Sequence, residues 1–292
     1  MIDDPRLDAV ITVGMPIYNG IEYVEEALAA LAAQTFPDFV VLISDNCSTD
    51  GTSELLRQWA DKDRRFVVYR QTTNIGPANN YEWLLAAARS PFFMFAAYDD
   101  RWSPNYLDVL HAALIREPRF AMAAAMTVKT DPDGREDRRL PFIAQPASRL
   151  RRIARNLRRS QAGWFYGLHR TEAMRLAHRI GYDFALVWAA DFLTILWFVL
   201  ADAVTGSNEA IFYQRQTAIS ESRYKPKTLA TQWRLLSRFL AFAFAILRDA
   251  PIPTPAKLAL VPAVLGFVNA KAWKFRRLLR SALRYPFKRL RA

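Results

Sequence analysis

Along the first 130 positions, short mostly apolar runs alternate with segments in which apolar residues recur at helical spacing. The runs at 9–13, 39–43, 66–69, 92–97 and 120–128 are too short for helices and read as strands buried on both faces. Between them, 22–33, 52–61 and 77–89 read as helices. The first repeats Tyr23, Ala27, Leu28 and Leu31 and carries acids in its opening turn, and the third opens on Pro77, a permitted first helical position. Strand and helix alternate four times with short connections, the sequence form of an α/β, doubly wound, mostly parallel sheet. Further on, Asp131-Pro132-Asp133-Gly134-Arg135 is a strong turn and 135–147 a polar connection. A helix is predicted over 149–159, a helix start at Thr171-Glu172, a buried helix from Phe184 to Val204 and a closing strand at 210–215. From Lys225 the pattern becomes a helical, basic extension: a helix over 229–247, a rigid break at Pro251–Pro255, then leucines and aromatics interleaved with lysine and arginine.

Each of the first four strands ends in a polar cluster: Tyr18-Asn19, Asp45, Gln71 to Asn74, and Asp99-Asp100. Parallel strands bring these ends to one edge of the sheet, where ligands of open α/β folds bind. That edge holds three carboxylates. Asp99 and Asp100 follow six apolar residues, and adjacent carboxylates beside a buried strand call for compensation, for which a hard divalent cation is the usual solution. The competing reading is a solvated turn or helix cap, since Ser103-Pro104 follows. No Gly-x-Gly-x-x-Gly follows the first strand and no Walker loop occurs, so a glycine-rich phosphate cradle is not expected.

Composition adds three constraints. Of 292 residues 52% are apolar and 23% charged, which allows a sizeable core and excludes global disorder. The single cysteine, Cys47, cannot form an intramolecular disulfide and suits a reducing compartment. The acidic N-terminus lacks the basic flank and apolar run of a signal peptide, so a cytoplasmic protein is expected. The Phe184–Val204 segment carries Asp191 near its middle and Asp202 near its end, which argues for a buried helix and against a membrane span. The net charge of +12 is concentrated in patches. No acid follows Asp249 while ten Lys or Arg do, and a second basic run (Arg149, Arg151, Arg152, Arg155, Arg158, Arg159) lies mid-chain.

Five segments together resemble the family 2 glycosyltransferases of the GT-A fold. They are Val13-Gly14-Met15-Pro16-Ile17-Tyr18-Asn19-Gly20, the Gln34-Thr35-Phe36 turn, Ile43-Ser44-Asp45-Asn46 through Thr52, Asn74-Ile75-Gly76, and Asp99-Asp100. The resemblance implies an inverting enzyme that moves a sugar from a nucleotide-sugar donor to a hydroxyl, with Mg²⁺ or Mn²⁺ as cofactor. It implies a nucleotide site at Pro16, Tyr18, Asn19, Asp45, Asn74 and Asp99, with Asp45 accepting from a base N–H. It implies a metal at Asp100 and Asp99, a catalytic base at Asp191, and a leaving diphosphate neutralised by Arg215 or Arg223. Two departures are visible: Ala190 stands where a Glu is frequent, and Gln216 where a metal-directed His is expected. Gly163 to Arg170 also resembles a family segment beneath the acceptor pocket. Within it His169 reads as structural, with a catalytic base as the rival.

On this reading residues 1–224 form the GT-A-like domain, with a nucleotide-sugar half at about 9–128 and an acceptor half at about 129–224. Residues 225–292 form a basic amphipathic region that associates with an anionic membrane surface, peripheral on the inner face of the cytoplasmic membrane. The acceptor implied is a lipid-linked or growing surface glycan. Nucleic-acid binding by the tail is set below lipid because its aromatics fall among leucines at helical spacing, and an oligomer interface is a third reading. Asp191 retains the alternative of a capping or core carboxylate, and the 149–159 arginines that of a solvated helical face. The chain as a whole retains two alternatives: a non-catalytic membrane-associated scaffold with a degenerate transferase domain, and a sugar nucleotidyltransferase.

Overall fold

In the computed structural model the first strand, β1 (Ile11–Ile17), runs past its apolar block and takes in residues that the sequence assigned to a loop. Pro16 is accommodated there for a geometric reason. The Gly14 carbonyl accepts from Ala96 N–H on one side of the strand (2.9 Å), and two residues on, the Pro16 nitrogen points the same way, where β4 has already ended. Its missing N–H therefore costs no ladder bond. Residues 4–143, 145–217 and 224–280 are described.

The chain divides into two units interleaved in sequence. The first comprises Met1–Ala144, Ala162–Leu176 and Val204–Thr217; the second comprises Gln145–Gln161, Ala177–Ala203 and Ala218–Ala292. The grouping differs from a division at residue 224, because 145–161 and 177–203 join the C-terminal helices.

The first unit carries the sheet. After β1 come α1 (Val24–Ala32), β2 (Phe39–Asp45), α2 (Thr52–Lys62), β3 (Phe66–Arg70), α3 (Pro77–Ala87), β4 (Phe92–Phe95), β5 (Arg101–Trp102), α4 (Tyr106–Arg116), β6 (Met122–Thr130), β7 (Glu136–Leu140), β8 (Leu168–Arg170) and, later in the chain, β9 (Val204–Arg215). The strand order is β3-β2-β1-β4-β8-β6-β9-β5, with β7 beside β6. β1, β2, β3, β4, β6 and β9 share one direction, and the short β5, β7 and β8 oppose it. The α/β, mostly parallel sheet expected from the sequence is therefore present, and six strands present their C-terminal ends along one edge. β1, β2 and β4 are buried at every position, and their Ile11, Val13, Val41, Ile43 and Met94 join Leu28 and Leu31 of α1 and Leu110 of α4 in the core.

Two elements were not legible as such. β7 lies in the stretch read as a polar connection. Its side chains are mostly exposed, so main-chain pairing with β6 forms it and no apolar alternation announces it. β5 has only two residues and exists because β9 pairs with it.

The second unit is helical. It contains α5 (Arg149–Arg159), the end of α6 (Thr171–Asp183), α7 (Ala190–Leu200), α8 (Leu229–Asp249) and α9 (Thr254–Lys271). α8 opens on a capping box between Thr228 and Thr231, and α9 carries Pro255 in its first turn. α9 packs on α5 and α8, and α7 on α5 and α8. The buried helix predicted over 184–204 is shorter, starting only at Ala190. Ala185 (φ 56) and Ala189 (φ 67) adopt left-handed backbone, which stops α6 and delays α7. Among the described residues no helix is long and apolar enough to cross a membrane.

His169, in β8, is fully buried, and burial lowers its pKa from 6.5 to about 3 against the pull of the main chain at Phe93 and Gly167. It is a neutral core residue, in line with the structural reading. The unfolded chain takes up a proton on this ring below pH 6.5 that the folded chain refuses until about pH 3. Its contribution is therefore complete above pH 6.5 and is lost as the pH falls towards 3. Urea unfolding should show a steeper loss of stability between pH 6.5 and 4.5 in the wild type than in His169→Gln, by on the order of 2 kcal/mol at the lower pH. Parallel profiles would remove His169 as the source.

Candidate active site

The C-terminal edge of the sheet is built from four short polar segments locked to one another. At the end of β1, Tyr18 is 36% exposed, so it presents its ring outward and is not a core residue. Asn19 turns the chain with φ 51, a conformation asparagine tolerates. Its N–H donates to Ser48 Oγ (2.9 Å) and its side-chain oxygen accepts from Thr49 N–H (2.8 Å), which joins this loop to the one after β2. Gly20 donates to Thr52 Oγ1 (3.0 Å), and a Cβ on it would stand 2.7 Å from the Tyr98 ring, so glycine is needed for that approach.

Asp45 ends β2 and is completely buried. One oxygen accepts from Ser48 N–H (2.9 Å); the other accepts from the Ser53 hydroxyl and from Arg70 Nη1 (3.1 Å). Arg70 also donates to the Ser48 carbonyl (3.0 Å). The neighbouring Asn46 donates to Asn74 Oδ1 (3.0 Å) and accepts from Ile75 N–H (2.8 Å), while Asn74 Oδ1 also accepts from Gly76 N–H (2.9 Å). Asp45 and Asn74 thus both hold the edge together, whatever else they contact.

Asp99 and Asp100 follow β4. Asp100 is 3% exposed, and its Oδ1 accepts from Arg215 N–H (2.8 Å) at the end of β9. Burial, and after it the neighbouring Asp99 charge, pushes the Asp100 carboxyl well above the usual range; the Arg215 N–H, Lys129 and the Arg215 charge pull the other way. Burial also raises Asp99, opposed by its own backbone and by Arg215. Two adjacent carboxylates destabilised as anions are what a divalent cation reverses. Among the described residues no group of three His, Cys, Asp or Glu could hold a metal. The donor set fits an ion such as Mg²⁺ or Mn²⁺, which takes one or two carboxylates from protein and the rest from phosphates and water. It does not fit a closed all-protein site.

Arg215 occupies a position that sequence alone did not define. Its side chain is 4% exposed. Nε donates to the Asp99 carbonyl (3.0 Å), Nη1 to the Pro132 carbonyl and Nη2 to Glu26 (2.7 Å), and the group lies 4.7 Å over the Tyr23 ring. Its guanidinium is spent on α1, the turn after β6 and the aspartate loop, and this places it as a brace beneath the carboxylates. Arg101 shares Glu26 at 3.7 Å and donates to the Gly134 carbonyl (3.2 Å). Arg223 lies outside the described residues.

Asp191 belongs to the second unit. It stands in the first turn of α7, partly exposed, where the helix dipole favours an anion, rather than deep within an apolar helix. The turn before it is held from the C-terminal helices: Trp188 Nε1 donates to the Ala272 carbonyl (3.3 Å), and Arg238 of α8 to the carbonyls of Asp183 (3.3 Å) and Phe184 (3.0 Å).

The structure thus places Pro16, Tyr18, Asn19, Asp45, Asn74, Asp99, Asp100 and Arg215 at the same sheet edge of the first unit. Sequence reasoning missed Arg70, Ser53, Asn46, Glu26 and Lys129 there. One signal was available: a carboxylate buried at the end of β2 needs a cation, and Arg70 ends the neighbouring strand directly opposite it.

A family model described as glycosyl transferase family 2 matches residues 12–180. The chain belongs to glycosyl transferase family 2. TuaG of Bacillus subtilis is 31% identical over 99 residues, 34% of this chain and 39% of that protein. The structure of Staphylococcus aureus TarS 1–349 in complex with UDP-GlcNAc has a TM-score of 0.67 at 19% identity, covering 89% of this chain and 72% of that one. The mannosyltransferase PcManGT of Pyrobaculum calidifontis, in complex with GDP-Man and Mn²⁺, has a TM-score of 0.55 at 18% identity, covering 97% and 83%. These two structures share the fold. The matched stretch spans 39% of the length of TuaG.

Because Arg215 bonds to three protein groups, Arg215→Met should remove its bonds to the Asp99 and Pro132 carbonyls and its pair with the half-exposed Glu26, and cost about 2–3 kcal/mol. Thermal unfolding should show a fall of at least about 4 °C. A change within about 1 °C would mean that the guanidinium is not a brace and is available to a ligand.

Proposed function

We propose that this family 2 protein is an inverting, metal-dependent glycosyltransferase that moves a sugar from a nucleotide-sugar donor to a hydroxyl of a lipid-linked or surface-glycan acceptor. The observation that carries the reading is the Asp99-Asp100 pair at the common edge of six co-directional strands, with Asp100 buried and Asp99 half-buried, where desolvation opposes both negative charges and the Asp99 charge adds to this at Asp100. A TarS structure holding UDP-GlcNAc and a mannosyltransferase structure holding GDP-Man and Mn²⁺, both with this fold, support a nucleotide-sugar donor and a divalent ion.

In this reading Tyr18 and Pro16 flank the nucleotide base, and Asn19 and Asn74 shape the loops around it. Asp45 accepts from the base N–H, which requires Arg70 or the Ser53 hydroxyl to give up part of its hold on that carboxylate. Asp100, with Asp99, holds Mg²⁺ or Mn²⁺, and when bound that ion offsets the charge of the leaving diphosphate. Asp99 also contacts the ribose. With Arg215 committed to protein partners, its contribution to the diphosphate is the field of a fixed positive charge behind the carboxylates. Asp191 takes the proton from the acceptor hydroxyl as that oxygen attacks the anomeric carbon, the sugar–phosphate bond breaks, and the configuration inverts. Residues 225–292 keep the protein at an anionic membrane surface on the cytoplasmic side, close to such an acceptor. Nothing in the reading calls for nucleic acid.

A ligand that binds only the folded state raises its unfolding temperature by mass action. In a thermal-shift series with UDP, GDP, dTDP and CMP and their sugar conjugates, one nucleotide should stand out with Mg²⁺ or Mn²⁺. Its effect should vanish in EDTA and in Asp100→Asn. No shift under any metal condition would overturn the donor site and leave the scaffold reading.

With the donor known, Asp191→Asn should lower transfer at least about 1000-fold while leaving the nucleotide shift unchanged. Transfer that survives this substitution would take the base role away from Asp191.

A further inference from the structure

The two longest stretches of the chain without acidic residues are 138–171, between Asp137 and Glu172, and everything after Asp249. They are far apart in sequence, yet the second unit brings them side by side. α5, from the first stretch, and α9, from the second, pack together and are tied at both ends. Arg149 Nη2 donates to the Pro251 carbonyl (2.8 Å) just before α9 begins, and Lys271 Nζ, in the last turn of α9, donates to the Ser160 carbonyl just after α5 ends. The two helices therefore run in the same direction.

Their outer faces are of different kinds. On α9, Leu260, Val264, Phe267 and Val268 are buried, whereas Leu258 (68% exposed), Ala259, Pro262, Leu265 (36% exposed) and Gly266 face solvent. The helix is thus apolar on the side that packs and apolar again on the side that does not. An exposed face of this kind asks for an occupant. On α5, Arg152 is buried and paired with Asp202 (2.5 Å), which leaves Arg151, Arg158 and Arg159 exposed; among the described residues no ion pair engages these three. α5 ends on two of them, with no ion-pair partner there among the described residues.

We infer that α5 and α9 form a composite docking face for the surface of an anionic lipid bilayer, with the α9 leucines entering the headgroup–acyl boundary and the α5 arginines meeting lipid phosphates and carboxylates. This deepens the membrane placement proposed above and rests on it. It moves the contact from a C-terminal tail to a folded surface half of which comes from the middle of the chain. Charge decides the occupant. A second copy of the chain would set arginine against arginine, since neither helix offers an acid to pair across a symmetric contact, whereas an anionic bilayer supplies negative charge and an apolar layer in the same plane. Among the described residues no helix is long and apolar enough to span a bilayer.

Co-sedimentation of the full chain with vesicles of phosphatidylcholine containing 30% phosphatidylserine, and with phosphatidylcholine alone, tests this without nucleotide, metal or acceptor, so it is read independently of transferase activity. Wild-type protein should bind the anionic vesicles at least tenfold more tightly than the neutral ones and lose most of that binding in 0.5 M salt. Arg151→Gln/Arg158→Gln/Arg159→Gln and, separately, Leu258→Ser/Leu265→Ser should each weaken binding tenfold or more while circular dichroism and unfolding temperature stay at wild-type values. Wild-type binding by both variants would place the contact elsewhere in the basic tail and overturn the composite face. So would binding indifferent to phosphatidylserine, or a concentration-dependent dimer in sedimentation velocity that the leucine variant abolishes. If the nucleotide shift is absent but lipid binding behaves as stated, the transferase reading falls and this one stands.

Discussion

The sheet edge depends on how the fold tolerates two adjacent carboxylates where a fully buried strand emerges. Asp99 stands half-buried beside the buried Asp100, whose charge it opposes, and the compensation comes from the far end of the sheet sequence: β9 delivers Arg215, whose N–H meets Asp100 and whose guanidinium meets the Asp99 carbonyl. The same side chain reaches Glu26 of α1 and the turn after β6. One buried cation thus couples the first helix, the aspartate loop and the last strand. A charge so placed is hard to remove, since its own side chain is 4% exposed and three separate segments bond to it. It is equally hard to recruit to a ligand. In the proposed reading it sets the field of the site without moving.

The loops after β1 and β2 solve a related problem by hydrogen bonding. Asn46 and Asn19 each bond across to another loop, and Asp45 bonds within its own loop and to Arg70 at the end of β3, so the walls of the edge are fixed by side chains satisfying groups of their neighbours. Such mutual satisfaction makes a rigid rim from segments with no regular structure, which a binding site on loops needs. It also means that the ligand role proposed for Asp45 falls on two oxygens that already have a structural occupation. Exchange of one internal donor for a ligand donor is then nearly neutral in hydrogen bonds, and selectivity rests on how well the incoming group replaces Arg70 or Ser53.

Most of the sheet was legible because a parallel strand buried on both faces leaves an unbroken apolar run, and each of the first four runs predicted became a strand. The carboxylate pair was legible for the opposite reason, as charge where the pattern calls for none. What remained hidden was formed by pairing rather than by pattern: β5 and β7 owe their existence to β9 and β6. Arg70 looked like an ordinary basic residue and Arg215 like a ligand-facing one, because the protein partners that define them are 25 and up to 189 positions away in sequence. The environment of Asp191 was misjudged through one assumption, that an apolar run is a continuous helix. Two left-handed alanines interrupt it, and the aspartate falls in a first helical turn, where a carboxylate is stable as an anion.

That interruption also changes what the C-terminal region is for. The segment between α6 and α7 contains Ala185 and Ala189 in a conformation that costs L-residues roughly 1 kcal/mol or more each, so the surroundings must hold it. The holding groups come from α8 and from the end of α9. Arg238 binds the carbonyls at 183 and 184, the Phe184 ring packs on Phe239 and Phe242, and Trp188 donates to the carbonyl at 272. A tail read from sequence as an appended anchor is therefore part of the structure that fixes the Asp191 turn. Anything that displaces α8 or α9 must also remove these bonds from the strained turn.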